Sequence, residues 1–160
     1  EHLPVAYLPQ TELASLVKQP KAQLVHLIDL LSLHDLAPEA RRIVNPNYLK
    51  NIYTCLTPKQ FHYLKICLHR KEPIIAPKLG LDPAKIESAQ LRQTLHRRGL
   101  VRLGRALSGQ HPDLIWHIAH ILDRGRGVLL LQAHRPHESS AITSILEQQV
   151  LQAMHFLNHE

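Results

Sequence analysis

The residue that most constrains this chain is proline. Eleven prolines run through 160 residues that hold only six glycines, the first of them at Gly80. Proline fixes φ and carries no N–H, so it sits well in the first turn of a helix and badly inside a helix or a central strand. Here it repeatedly stands where a helix would open: Asn45-Pro46, Thr57-Pro58, Asp82-Pro83 and His111-Pro112. At Thr57-Pro58-Lys59-Gln60 the Thr hydroxyl can take a free N–H of the first turn while Gln60 reaches back to the Thr57 backbone. Apolar residues are mostly Leu, Ile and Ala, and aromatics make up only 4%, a mix suited to helices packing on helices. The expected fold is therefore mostly α: a compact multi-helix single domain over residues 1–160, with short Pro-capped helices and little or no sheet. A chain of this length can bury a sizeable core.

Apolar spacing fills in the segments. Residues 1–9 read as extended, because Pro4 and Pro9 each bias the residue before them away from helix. A short helix is expected over 12–17. A longer one over 23–33 has Leu24, Leu27, Ile28 and Leu31 inward. Pro38 then reads as the opening of another short helix with Glu39 in its first turn. Residues 48–56 are apolar on Leu49, Ile52, Tyr53 and Leu56. After Thr57, one face carries Phe61, Leu64 and Leu68. A Pro-broken connection over 72–77 leads to a helix opening at Pro83, with Ala84, Leu91 and Leu95 on one side. Gly99, which accepts a left-handed backbone, is expected to end it, and Leu100, Leu103 and Leu107 form a further short stripe. The helix from Pro112 is apolar almost all round, so it belongs in the core. The stretch Asp123-Arg-Gly-Arg-Gly127 reads as its stop, residues 128–131 as a buried strand or a helical turn, and 139–157 as a last long helix.

Charge is concentrated in the middle of the chain. Residues 56–107 hold eleven basic residues and three acids, a balance of +8, whereas the whole chain is +6 and the remainder therefore −2. A basic helical module is set into a nearly neutral protein, and an acidic partner is expected: nucleic acid, a headgroup surface or an acidic protein face. Arg97, Arg98, Arg102 and Arg105 are the candidate docking residues. No apolar run approaches the roughly 20 residues that span a bilayer, and no charged-then-apolar leader is read at the start. Cys55 and Cys67 lack a CxxC partner set and read as reduced thiols of a cytosolic protein.

Patterns that would carry chemistry are weak. Thirteen histidines invite a metal reading, above all His111, His117 and His120 around Trp116, with His134 and His137 beyond. A zinc site wants three or four converging ligands, usually with Cys or carboxylate help. Neither HExxH nor CxxC is present, so solvated or hydrogen-bonded imidazoles are expected. Ser15-Leu-Val-Lys18 matches SxxK without the partner motifs of acyl transfer. Residues 123–127 lack the Gly-Lys-Ser/Thr of a phosphate loop. The expectation is a protein with no catalytic residues, no cofactor, no metal and no small-molecule substrate.

One alternative involves nucleic acid. Residues 57–103 taken alone resemble a winged-helix transcriptional regulator: a helix from Thr57, a short helix at 76–79, a turn at Gly80 and a recognition helix from Pro83. Lys85, Gln90, Arg92, Gln93 and Arg97 would face the major groove. Against it, the residues after Gly99 have helical spacing where a hairpin wing should alternate. The basic helices also lack aromatics for stacking on single-stranded bases.

A second resemblance spans nearly the whole chain. The opening Pro4-Val-Ala-Tyr7-Leu8, the run Leu30-Leu-Ser-Leu-His34 and the turn Glu39-Ala-Arg-Arg-Ile43-Val44 come first. Lys71-Glu-Pro-Ile-Ile-Ala-Pro77, Lys85-Ile-Glu-Ser88, Gly99-Leu100 and Ala106-Leu107 follow, and an apolar helix at 139–157 closes the order. In order and spacing these resemble the SctK (YscK/PscK) family of type III secretion proteins. The resemblance implies a non-enzymatic adaptor of the cytoplasmic sorting platform. Such an adaptor links the inner-membrane ring protein (SctD) to the pod protein (SctQ) at the inner face of the bacterial inner membrane. The chain departs from the family in being shorter than several members, richer in His and more basic in its middle.

Overall fold

Thr57 does what its spacing predicts. A computed structural model describing residues 1–159 shows its Oγ1 accepting the Gln60 N–H at 3.1 Å and Gln60 Oε1 accepting the Thr57 N–H at 3.0 Å. The helix so opened is α3, Pro58–Leu68. It is preceded by α1, Lys21–Arg42, and α2, Pro46–Tyr53, and followed by α4, Ser88–Ala106, α5, Pro112–Ile121, α6, Arg124–Gln132, and α7, Ser140–His159. Pro46 and Pro112 also sit in first turns, after Asn45 and His111, whose side chains each accept a backbone N–H. Short 3₁₀ turns at Val5–Tyr7, Leu13–Lys18 and Leu107–Gly109 complete the order. The described residues contain no strand, and residues 128–131 lie in α6. The fold is mostly α, as expected.

α1 is the axis of the molecule. It packs against α4, α3 and α7, while α4 also meets α6 and α7, and α5 pairs with α6. Every residue from Leu30 to Ala37 is buried, so α1 is walled in on all sides there. One core joins Leu24, Leu27, Ile28 and Leu31 of α1 with Leu64 of α3, Leu91, Leu95 and Leu103 of α4, Ile118 of α5 and Leu146 and Val150 of α7.

Several expectations are corrected. Pro38 does not open a new helix; α1 runs through it to Arg42. A proline inside a helix costs roughly 3 kcal/mol, but each fully buried Leu contributes about 1.5–3 kcal/mol. Breaking the helix there would unseat Leu33, Leu36 and Ala37 from the core. The fourth helix does not open at Pro83 or end at Gly99: Glu87 caps it through Ala89 and Gln90 N–H, and it continues to Ala106. A Cβ at Gly99 would overlap the backbone carbonyl of Ile28, so this glycine is where α1 and α4 cross closely. Likewise Asp123 starts α6 by accepting the Arg126 N–H, and the glycines that follow lie inside that helix. The short helix expected at 76–79 is absent, and the residues after Gly99 form helix where a wing would stand.

Candidate functional site

The long connection 69–87 has no helix or strand of its own, and loops of that length are usually functional. It lies as a strap over the α1–α4 core, and the protein's charged side chains hold it there. Arg98 donates from Nη1 to the Pro77 carbonyl at 2.5 Å and from Nη2 to the Lys78 carbonyl at 2.8 Å. Glu39 Oε2 accepts the Leu79 N–H at 2.7 Å. At the near end Arg41 donates to the carbonyls of Cys67, Leu68 and Arg70, which also satisfies the last turn of α3. Ile74 is the strap's buried apolar anchor.

Beneath the strap lies a buried polar network. Arg102, 3% exposed, donates from Nε to Asp35 Oδ1 at 2.5 Å and from Nη1 to Gln149 Oε1 at 2.8 Å. Its Nη1 also stands 3.5 Å from Glu72 Oε2. Arg98 reaches the other oxygen of Asp35 at 3.0 Å. Gln149 donates to Glu72 Oε1 at 2.8 Å, and Ile74 N–H donates to Glu72 Oε2, also at 2.8 Å. Two guanidiniums and two carboxylates therefore balance, drawn from α1, α4 and the strap, with a glutamine of α7 closing the set. Buried charges are tolerated when paired in this way.

His34 extends the network. Burial is the main influence on it and lowers its imidazole pKa, so the ring is neutral at pH 7. An ionised Glu72 can only accept; His34 Nδ1, 3.2 Å from Glu72 Oε1, therefore carries the proton, and Nε2 accepts from the Tyr63 hydroxyl at 2.8 Å. Burial would push the Glu72 carboxyl up. The hydrogen bond from His34, the charge of Arg102 and the Ile74 N–H together outweigh that and hold it below the ordinary carboxylate range. Cys67 Sγ lies 3.9 Å from His34 Nδ1, a contact that resembles a nucleophile–base pair. Burial pushes its thiol up to about 12, so sulfur and imidazole both stay neutral and the thiolate that attacks is not formed.

The four candidate arginines do not form one docking face. Arg102 is inside the core and Arg98 is half-buried between Asp35 and the strap. Arg105 donates to Glu138 Oε2 at 3.0 Å. Arg97 alone among the four is exposed, and it makes no ion pair among the described residues. The physical reason is register: Arg98 and Arg102 continue the Leu91–Leu95 stripe at spacings of three and four, so they point inward with it. Their buried partners, Asp35, Glu72 and Gln149, were not anticipated. Asp35 was detectable, since a carboxylate inside an apolar run needs a cation; Glu72 and Gln149 had no comparable signal.

The histidines around Trp116 are also accounted for. His2 stacks on the indole at 4.1 Å, and His120 lies tilted against it at 3.9 Å. His117 Nε2 meets the Leu3 carbonyl and His111 Nδ1 accepts the Asp113 N–H, so they tie residues 2–3 to α5 and cap it. Cys55 and Cys67 are free thiols. Among the described residues no helix is long and apolar enough to cross a membrane. No protein-family model matches the chain, and no curated protein and no solved structure matches it.

Proposed function

We propose that this chain is a non-enzymatic adaptor of a type III secretion sorting platform, linking an SctD-like ring protein to an SctQ-like pod protein at the inner face of the bacterial inner membrane. The observation that carries this reading is the order of SctK-like sequence motifs over nearly the whole chain. Support comes from where those motifs lie. Glu39 belongs to the second motif cluster and Glu72 and Pro77 to the third, and all three meet at the strap, pinned by the α4 helix that contains Gly99-Leu100. A strap held on a rigid helical body is a suitable recognition element, because ordering it does not have to be repeated on binding.

The test is co-purification. The full chain, tagged and expressed with the cytoplasmic domain of SctD and with SctQ from the same cell, is expected to retain both through affinity and size-exclusion steps. Failure to retain either one overturns the reading.

A further inference from the structure

The strap is not the only open surface. An open groove of about 520 Å³ runs between α1, α4 and α6 on another part of the molecule. Its apolar floor is made by the half-buried Val25 and by Leu129, with the buried Leu100 beneath them. Leu129 is 38% exposed, and Val101 of α4 and Val128 of α6 are also exposed, at 39% and 45%. Two exposed cations of α4, Arg92 and Arg97, stand on the rim. Arg92 donates only to Ser88 of its own helix, and neither makes an ion pair among the described residues. The groove's two acids are already engaged. Asp29 Oδ1 is 2.7 Å from His96 Nδ1, and Asp123 holds Arg126 at 2.5 Å and Lys21 at 3.3 Å.

The geometry points to this groove as the docking site for an acidic amphipathic helix contributed by a partner protein. The helix would place apolar residues at i, i+3, i+4 and i+7 on Val25 and Leu129, and carboxylates against Arg92 and Arg97. A groove between helices with an apolar floor accepts such a helix by laying the apolar face inward, and the unpaired rim arginines steer it and set its sign. A second copy of this chain fits poorly, because its like arginines would meet these across a two-fold axis. Duplex nucleic acid offers nothing to the apolar floor. This inference deepens the adaptor reading by naming the chemistry of one partner segment. It rests on that reading for its setting, whereas its test does not.

The test uses the full chain and two labelled peptides of about 18 residues, long enough to be helical, followed by fluorescence anisotropy. Both carry Leu at the i, i+3, i+4, i+7 positions; one has Glu on the remaining face and the other Lys. The Glu peptide is expected to bind saturably, and to weaken by roughly tenfold or more in the Arg92→Glu/Arg97→Glu double variant and on raising salt from about 0.1 M to about 1 M. Leu129→Ser should weaken it as well. The Lys peptide should not bind. All three altered side chains are exposed, and an unchanged circular-dichroism melt shows that the variants fold. The inference is overturned if the Glu peptide does not bind, if both peptides bind alike, or if the double variant binds the Glu peptide unchanged. Retention of SctD and SctQ alongside an unaffected double variant would sink the groove and leave the adaptor reading standing. Peptide binding as expected without retention of SctD or SctQ would do the reverse.

Discussion

Arg97 and Arg102 lie one and a half turns apart on the same helix and serve opposite ends. Arg102 is buried and holds Asp35, Glu72 and Gln149 together; Arg97 is exposed at the rim of a groove and makes no ion pair among the described residues. Chemically the two residues are identical, so side-chain type is not what separates a buried role from an exposed position on α4. Register decides it. Position 102 continues the stripe through Leu91 and Leu95, and position 97 falls on the other face. A count of +8 over 56–107 therefore overstates the charge that the surface presents, because part of it is consumed inside the fold.

The contrast is testable by substitution. The largest effect is expected at Arg102: Arg102→Met leaves Asp35 and Glu72 short of a buried cation and should cost about 3–5 kcal/mol of unfolding free energy in urea titration. Arg97→Met should stay within about 0.5 kcal/mol. Equal losses at the two sites would erase the distinction. A comparable contrast exists between two helical glycines. Gly99→Ala forces a methyl into the Ile28 backbone and should cost about 3 kcal/mol, because backbone cannot yield as a side chain can. At Gly125 a Cβ meets nothing closer than 3.7 Å, so Gly125→Ala should raise stability by about 0.5–1 kcal/mol through helix propensity.

Acid should weaken the inner network. The unfolded chain protonates its histidines near pH 6.5 and its glutamates near about 4.3. Folded His34 has a lowered pKa and resists the proton, so stability falls as pH drops below about 6.5, where the unfolded state binds more protons. Folded Glu72 also has a lowered pKa; its contribution is present above the unfolded value and is lost as pH falls further, through the folded one. Denaturant midpoints measured from pH 8 down to about pH 2.5 should therefore decline. His34→Gln should flatten the upper part of the decline and Glu72→Gln the lower part. A profile unchanged by both would mean that the network does not couple to folding. A local element gives a modest effect: Thr57→Ala removes one cap of α3 and should cost about 1 kcal/mol by thermal melt.

Much of the fold was legible in the sequence because its causes are local. Thr57, Asn45 and His111 each stand one residue before a proline and cap the helix that follows, and the apolar stripes of α1 and α7 require no knowledge of their partners. The misread boundaries share one feature. Pro38 and Gly99 carry strong local signals to break a helix, and both lie inside helices that tertiary packing carries through them; the segment 83–87, expected to be helix, forms the end of the strap instead. The candidate site was legible in composition and misplaced in space. The arginines were identified, but not the carboxylates that bury them, because Asp35, Glu72 and Gln149 reach Arg102 from separate parts of the chain.

The sequence by itself determined that this protein is helical, where most of its helices open, and that its charge gathers in the middle. Those follow from propensity, capping and periodicity, which act over a few residues. Only the tertiary structure decided which arginines are spent inside and which are left exposed. Pairing energy depends on distance between groups, and the sequence order does not carry the distance between Asp35 and Arg102.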